Sequence, residues 1–306
     1  MMNYAIKPRS RTFFKNLRLW ICLIISSMVI FTLILFNRQN DLGIKVYDST
    51  VKFPEILRAG KFLTGEILAA DDTKVIKRLA SNFLVPPPEV GPKFKYNLEN
   101  PKLKDTSMGQ AEQIRKVLNN KRNGFFIECG ALDGETRSNT LYLERFLDWT
   151  GLLIEADPLN FSQMLHKNRR AWLSPTCLSK TTHPQVVSFK QDFNVGRISD
   201  KNIGEERPGY VDVQCFPLYS YLLAMNITHV DYFSLDVEGD ELNVLKTIPW
   251  DKVDIDTLSV EFVHVNDGKD SIRDFMTSKG YIVAAEVTHP DWLANDFIFV
   301  KKSLIS

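Results

Sequence analysis

The chain contains few cysteines and carries almost no net charge. Only 4 of its 306 residues are cysteine, and no Cys-x-x-Cys or His-x-x-x-His spacing occurs, so the sequence predicts no zinc or other metal site. Its 38 basic residues nearly balance its 37 acidic ones, which argues against a nucleic-acid partner. The Gly-x-Gly-x-x-Gly fingerprint and the Walker Lys-Ser/Thr pair are also missing, which disfavours NAD and ATP as ligands.

One uncharged, apolar segment, Leu19–Phe36, lies near the N-terminus. A helix of about eighteen residues covers about 27 Å, which is enough to span the core of a lipid bilayer. A cleaved signal peptide is the alternative, but Asn37–Asn40 offers no small-residue cleavage site. Because basic residues crowd the N-terminal flank, the positive-inside rule predicts a cytosolic tail (residues 1–18), a type II anchor (19–36) and a luminal remainder.

The luminal part divides by composition. Residues 37–105 are predicted to form a stem, since prolines interrupt them repeatedly and Pro86–Pro88 favours extended polyproline geometry. An amphipathic patch, Lys74–Phe83, predicts one short helix inside the stem. Residues 106–306 are predicted to form one α/β domain, which opens with a helix over Met108–Asn119.

The most informative run in that domain is Asp231–Leu245. Its first half has the pattern of a buried strand and its second half has helical spacing, so Asp236 and Glu238 are predicted to lie at the carboxyl end of a strand. Ligands of open α/β sheets bind at that edge. The alternative is a simple strand-to-helix turn in which the acids cap the helix.

A glycine loop lies about a hundred residues upstream. A buried strand ending at Glu128 runs into a Gly-x-x-x-Gly turn and then a helix, the geometry of a nucleotide-type cofactor loop. The predicted cofactor-binding residues of this loop are Glu128, Gly130, Asp133 and Gly134. A second short strand ends at Glu155, where an acid is well placed to accept hydrogen bonds from ribose hydroxyls.

The remaining order of elements completes the sheet. Strands are predicted over Val186–Phe189 and Thr257–Val263, with His264 following the latter, and two strands close the chain. The polar run Gln191–Tyr210 is predicted to be a mobile loop. Strands that alternate with helices and end in a strand pair predict a seven-strand, Rossmann-like sheet.

Several segments together resemble the FkbM-type methyltransferase family. The segments are GFFIECGALDGE, GLLIEADP, YFSLDVEGDELNVLK and LSVEFVH, and the resemblance extends from about Asn120 to the C-terminus. It implies an S-adenosylmethionine methyltransferase fold in which Glu155 binds the ribose, and Asp236 and Glu238 form the acidic motif after a strand. Many family members carry a lysine two places before that motif, where this chain has Ser234.

The longer run NKRNGFFIECGALDGETRSNTLYLER, together with the anchor, resembles the invertebrate protein Star-like group more specifically. Members of that group are membrane-anchored and are associated with the movement of membrane-bound EGF-receptor ligand precursors through the endoplasmic reticulum, Golgi and endosomes. The resemblance implies that S-adenosylmethionine is the cofactor, either functional or vestigial.

Two functions therefore stay open. The first is a luminal transport protein that uses a methyltransferase fold to bind a membrane-bound EGF-like ligand precursor. The second is an active O-methyltransferase in which Asp236 or Glu238 removes a proton and His264 faces the same crevice, although a structural or solvated role is commoner for such a histidine.

A luminal location makes two modifications testable. Cys177 and Cys215 are predicted to pair as a disulfide, since the lumen is oxidising and they are the only luminal cysteines outside the glycine loop. Two glycosylation sequons begin at Asn160 and Asn226. Asn226 is the better surface candidate, because a glycan on Asn160 would crowd the predicted pocket.

Overall fold

The structure is a computed structural model that describes residues 67–199, 203–205, 207–265, 267–290 and 294–305. The predicted tail, the predicted anchor Leu19–Phe36 and the first part of the predicted stem lie outside the described residues. None of the helices in the described ranges has both the length and the apolar character needed to cross a membrane.

A seven-stranded sheet forms the centre of the domain. Its strands are β1 (Phe125–Cys129), β2 (Thr150–Ile154), β3 (Trp172–Ser174), β8 (His229–Leu235), β9 (Asp254–Glu261), β10 (Tyr281–Thr288) and β11 (Asn295–Lys301). The spatial order is β10-β11-β9-β8-β1-β2-β3, and every pairing is parallel except those of β11, which runs antiparallel to both neighbours.

Helices cover both faces of this sheet, which explains why the central strands are apolar on both sides. The described helices are α1 (Thr73–Asn82), α2 (Gln110–Val117), α3 (Leu141–Leu147), α4 (Pro158–Met164), α5 (Leu218–Met225), α6 (Glu241–Thr247) and α7 (Lys269–Ser278). On β8, Tyr232 and Phe233 point to opposite faces, and both are completely buried. The mostly parallel α/β sheet of seven strands agrees with the fold predicted from the sequence.

A second sheet of four strands packs beside the first. It consists of β4 (Cys177–Leu178), β7 (Tyr210–Phe216), β5 (Gln185–Lys190) and β6 (Arg197–Ser199), in that order. The prediction that Gln191–Tyr210 is a mobile loop was therefore wrong in part, because β6 pairs with β5 inside that run. Strand β6 is only half-buried and contains few apolar residues, so the sequence pattern did not indicate it.

The last part of the predicted stem packs into the folded domain. Val75 and Leu79 of α1 are completely inaccessible to solvent, and Phe83 packs edge-to-face on Phe216 with ring centroids 5.2 Å apart. A backbone bridge then joins Val85 to the edge strand β3. The folded domain thus begins before residue 73 rather than at residue 106, because the apolar face of α1 is core.

The structure also bears on both modifications. Cys177 and Cys215 face each other on the paired strands β4 and β7 and form a disulfide. Asn226 is exposed in a left-handed conformation at the end of α5. Asn160 is 1% exposed and its Nδ2 donates to the carbonyl oxygen of Phe193 at 2.8 Å, so the fold leaves no room for a glycan at Asn160, against the prediction.

Candidate functional site

A cavity that is open to solvent lies at the carboxyl edge of the parallel strands. Six of the residues predicted to be functional line it: Glu128, Gly130, Glu155, Asp236, Glu238 and His264. Strands β2, β1, β8 and β9 are neighbours in the sheet and run in the same direction, which is why residues distant in sequence meet here.

The glycine loop after β1 is held against the end of β8. Gly130 has a φ of +82°, and a Cβ built on it would lie 2.1 Å from the carbonyl oxygen of Asp236. The amide of Asp236 in turn donates to the carbonyl oxygen of Cys129 at 3.2 Å. Only glycine fits this position, because both the left-handed backbone and the close approach exclude a side chain.

Glu128 holds the segment between the glycine loop and α3 in place. Its carboxylate accepts hydrogen bonds from the amide of Asn139 at 2.7 Å, from Ser138 Oγ at 2.9 Å and from Thr140 Oγ1. Burial raises its pKa, and the positive charge of Arg169 and these hydrogen bonds oppose the rise. Glu128 therefore fixes the path of the chain from the loop into α3.

Asp133 and Gly134 do not line the cavity, in contrast to the sequence prediction. The Asp133 carboxylate accepts from the amides of Glu135 and Thr136 at 2.9 and 2.7 Å. Burial pushes the pKa of Asp133 upward, but these amides outweigh that effect and the pKa is lowered. Gly134 has a φ of +77° and packs against Met164 of α4. Both residues therefore stabilise the conformation of the loop. Their position in the sequence places them in the loop but does not show whether they face the cavity.

Glu155 occupies the position expected of a ribose-binding acid. It is 6% exposed, and its two carboxylate oxygens accept from the amides of Leu132 and Asp157, each at 2.7 Å. Burial raises the pKa of Glu155 to about 8, against the effect of these amides. Its carboxyl group can therefore accept a hydrogen bond from a ligand hydroxyl and, when protonated, can also donate one.

A cluster of acids follows β8 and β9. Asp236 Oδ1 is inaccessible to solvent and has no hydrogen-bond partner within the part of the chain that the structure describes. Burial and the charges of Glu238 and Asp296 raise its pKa well above the ordinary value. Glu261 ends β9 beside it, and burial together with Asp236 raises the pKa of Glu261 to about 11. The positive charges of Arg137 and Arg197 offset the raised pKa values of this cluster only in part.

Glu238 and His264 form the open side of this cluster. His264 Nδ1 lies 2.8 Å from Glu238 Oε2 and 3.3 Å from Glu261 Oε2. Burial raises the pKa of Glu238 to about 7, while burial and Arg197 lower the pKa of His264, so the imidazole is mainly neutral at pH 7. Close carboxylates would normally raise a histidine pKa, but a pKa of about 11 keeps Glu261 protonated at pH 7 and a pKa of about 7 leaves only half of Glu238 ionised.

The helix-capping role that the sequence left open for Glu238 is not seen, because the N-cap residue of α6 is Asp240 and no side-chain cap hydrogen bond forms there. Glu241, buried at the start of α6, accepts from the amides of Val237 and Gly239 at 2.9 and 3.2 Å. Glu238 instead has a φ of +56°, an unusual conformation for a residue with a side chain. Nothing in the sequence distinguishes these two acids, because only the turn geometry separates their roles.

The structure also adds residues that the sequence did not indicate. Asn139 is 8% exposed and lines the cavity; its Nδ2 donates to Ser234 Oγ at 2.9 Å, and its Oδ1 has no partner among the described residues. Phe193 and Ile198, from the β5–β6 region, cover the cavity from the second sheet. Their contribution depends on a sheet that the sequence analysis did not predict.

The fold and this site define a methyltransferase-like domain. The methyltransferase FkbM domain family matches residues 128–283, slightly more than half of the chain, and the chain belongs to that family. A search of curated proteins gave no match.

Solved structures with a similar fold include three methyltransferases. Methyltransferase FkbM from Methylobacillus flagellatus KT is 14% identical, with 58% of this chain and 43% of that chain covered and a TM-score of 0.37. TrmK from M. capricolum in complex with S-adenosylhomocysteine is 10% identical, with coverages of 62% and 67% and a TM-score of 0.35. Magnesium protoporphyrin IX methyltransferase from Synechocystis PCC 6803 with bound S-adenosylmethionine is 9% identical, with coverages of 63% and 80% and a TM-score of 0.35.

Family membership supports S-adenosylmethionine as the cofactor, and the lining of the cavity fits it. Glu155 offers a carboxyl group for hydrogen bonds to the ribose, and Gly130 is exposed in the loop that lines the cavity. The partnerless oxygens of Asn139 and Asp236 are acceptors for polar hydrogens of a ligand. The acidic lining also suits a ligand that carries positive charge on its sulfonium and ammonium groups.

Proposed function

We propose that the domain binds S-adenosylmethionine in this cavity and methylates a hydroxyl group of an acceptor. The observation that carries the proposal is the convergence of loop and acidic residues from the ends of four adjacent strands on one cavity. When bound, the cofactor supplies an electrophilic methyl group. The protein then has to orient the acceptor and remove its proton.

Asp236 is the proton acceptor in this proposal. Asp236 lines the cavity, and its Oδ1 has no hydrogen-bond partner among the described residues. This oxygen is therefore free to take the proton of an acceptor hydroxyl. Burial and neighbouring acids raise its pKa, which makes the carboxylate a stronger base. Positive charge brought into the cavity lowers that pKa again and keeps part of the population ionised at neutral pH.

Methyl transfer from tritium-labelled S-adenosylmethionine to a membrane fraction of cells that express the full chain tests this function. Asp236→Asn keeps the size of the side chain but removes the base, and it is expected to lower the transfer rate about 100-fold while cofactor affinity changes little. Asp274→Asn, at an exposed residue paired with Arg273, is the matched control and should behave like the wild type. Transfer by the wild type that does not exceed that of Asp236→Asn would contradict the proposal.

A second proposed function is transport of membrane-bound EGF-like ligand precursors, in the manner of the Star-like group. It is favoured by the apolar run Leu19–Phe36 with its basic N-terminal flank, which would anchor the chain in a bilayer as a type II protein of the secretory pathway. It is also favoured by Ser234, which is buried and accepts from Asn139 Nδ2 and Ser259 Oγ where many relatives carry lysine.

Two measurements test the second function. In microsomes, protease should spare the large C-terminal fragment, and its digestion without detergent would exclude a luminal domain. Export of a membrane-bound EGF-like ligand precursor should depend on the chain and remain normal with Asp236→Asn, because a binding role needs the fold but no base. Export that fails with Asp236→Asn in a folded protein would favour the enzymatic function instead.

A further inference from the structure

Three potential metal ligands meet at the open side of the acidic cluster. Glu238, Glu261 and His264 each offer one ligand atom, and these three atoms lie within 4.8 Å of one another. When metal–ligand bonds of about 2.1 Å meet at right angles, neighbouring ligand atoms lie about 3 Å apart. The distances of 2.8 and 3.3 Å from the histidine nitrogen to the two carboxylates are close to that spacing.

Hydrogen bonding alone does not satisfy this arrangement. A neutral imidazole nitrogen has either one hydrogen or one lone pair, so His264 Nδ1 can bond fully to only one of the two carboxylate oxygens. A metal ion between the three atoms would interact with all of them at once. The backbone also fixes the spacing, since a Cβ on Gly239 would lie 2.9 Å from the carbonyl oxygen of His264.

A separate observation concerns Asp236, the acid beside this group. Asp236 Oδ1 is inaccessible to solvent, has no hydrogen-bond partner among the described residues, and belongs to a carboxylate within 4.8 Å of ligand atoms of Glu241 and Glu261. A buried carboxylate oxygen without a partner is strongly unfavourable.

We infer that Glu238, Glu261 and His264 bind one divalent transition-metal ion at the mouth of the cavity, next to Asp236. Two carboxylates and one imidazole form a mixed oxygen and nitrogen ligand set, which suits Mn²⁺, Fe²⁺ or Zn²⁺ better than Mg²⁺ or Ca²⁺. His264 is 44% exposed, so the ion can enter from solvent and can keep positions for an oxygen ligand. If the proposed methyl transfer occurs, an acceptor hydroxyl bound there would lose its proton to Asp236 more easily.

Titration of the full chain with Mn²⁺ alone tests the site. The chain would be purified in mild detergent, treated with EDTA and followed by isothermal titration calorimetry. The wild type is expected to bind one ion, and His264→Gln should weaken binding more than about 100-fold, beyond the effect usual for residues that only orient a ligand. A wild type without binding, or an affinity unchanged by His264→Gln, would overturn the inference.

A matched control separates this site from a second group at the other end of the sheet. His229 lies near Asp231 and Asp256, but Asp231 is paired with Lys121, so we expect no metal there. His229→Gln should therefore leave Mn²⁺ binding unchanged, and a loss of binding in this variant would contradict the assignment.

A spectroscopic measurement on the wild type tests His264 as a ligand without any substitution that could disturb folding. Electron spin-echo envelope spectra of the bound Mn²⁺ should show coupling to an imidazole nitrogen, and spectra without nitrogen coupling would refute His264 as a ligand. S-adenosylmethionine affinity measured with and without Mn²⁺ keeps the proposals apart. A wild type that binds Mn²⁺ but not S-adenosylmethionine contradicts the methyltransferase function. A wild type that binds S-adenosylmethionine but not Mn²⁺ contradicts the metal site.

Discussion

Replacing Glu155 by glutamine removes one titrating carboxyl group from the floor of the cavity. In the folded protein burial raises the pKa of Glu155 to about 8, from an ordinary value of 4.5. The folded state thus holds this proton more tightly than the unfolded state does. The stability that Glu155 contributes is fully present below pH 4.5 and is lost as the pH rises toward 8, above which both states are ionised.

The two pKa values set the size of the effect. Between pH 5 and pH 8 the free energy of unfolding should fall by about 3–4 kcal/mol on account of Glu155 alone. The glutamine variant loses this pH dependence but cannot accept both the Leu132 and the Asp157 amides with its single oxygen. That mismatch adds a constant penalty of about 1–3 kcal/mol at every pH.

Urea unfolding at pH 5, 6, 7 and 8, followed by the fluorescence of buried tryptophan such as Trp149, measures the difference. Glu155→Gln should be less stable than the wild type at pH 5, and the gap should close or reverse by pH 8. Glu89→Gln, at an exposed glutamate, should follow the wild type throughout. A difference between Glu155→Gln and the wild type that stays constant from pH 5 to pH 8 would refute the reasoning.

Three further predictions concern the glycine loop, the disulfide and the glycosylation sequon at Asn226. Gly130→Ala should lower stability by at least about 2 kcal/mol more than Gly280→Ala, since both have left-handed backbones but only Gly130 meets another atom; equal losses would contradict the close approach. Removing the Cys177–Cys215 disulfide with paired serine substitutions should cost about 4 kcal/mol in urea unfolding, from the loop closed across 38 positions; an unchanged urea midpoint would argue against it. In a secretory host, glycosidase should increase the mobility of the wild type but not of Asn226→Gln, and an unchanged wild-type mobility would show that Asn226 carries no glycan.

The main sheet and part of the site could be predicted because both follow from strand ends. Glu128, Glu155 and Asp236 each come at the end of an apolar run, and parallel strands bring such ends to the same edge. Gly130 could be predicted as well, since a tight turn between a strand and a helix calls for a residue without a side chain.

Other features depend on packing that no local pattern contains. The amphipathic pattern of α1 predicted a helix but did not show that Val75 and Leu79 enter the main core. Asp133 stands between two loop glycines in the sequence, yet its carboxylate turns to the backbone of its own loop. The contact between Glu238 and His264 depends on how the loop after β8 meets the turn after β9.

Direct binding of S-adenosylmethionine to the full chain tests the central claim, that the carboxyl-edge cavity is a cofactor site. Equilibrium dialysis with the radiolabelled cofactor should show one site per chain, with affinity reduced at least about 10-fold by Glu155→Gln, because the hydrogen bonds between this carboxyl group and the ribose hydroxyls contribute more than about 1.4 kcal/mol. The control Glu89→Gln should bind like the wild type. A folded wild-type chain that binds no S-adenosylmethionine, or binds it equally well with Glu155→Gln, would contradict the account.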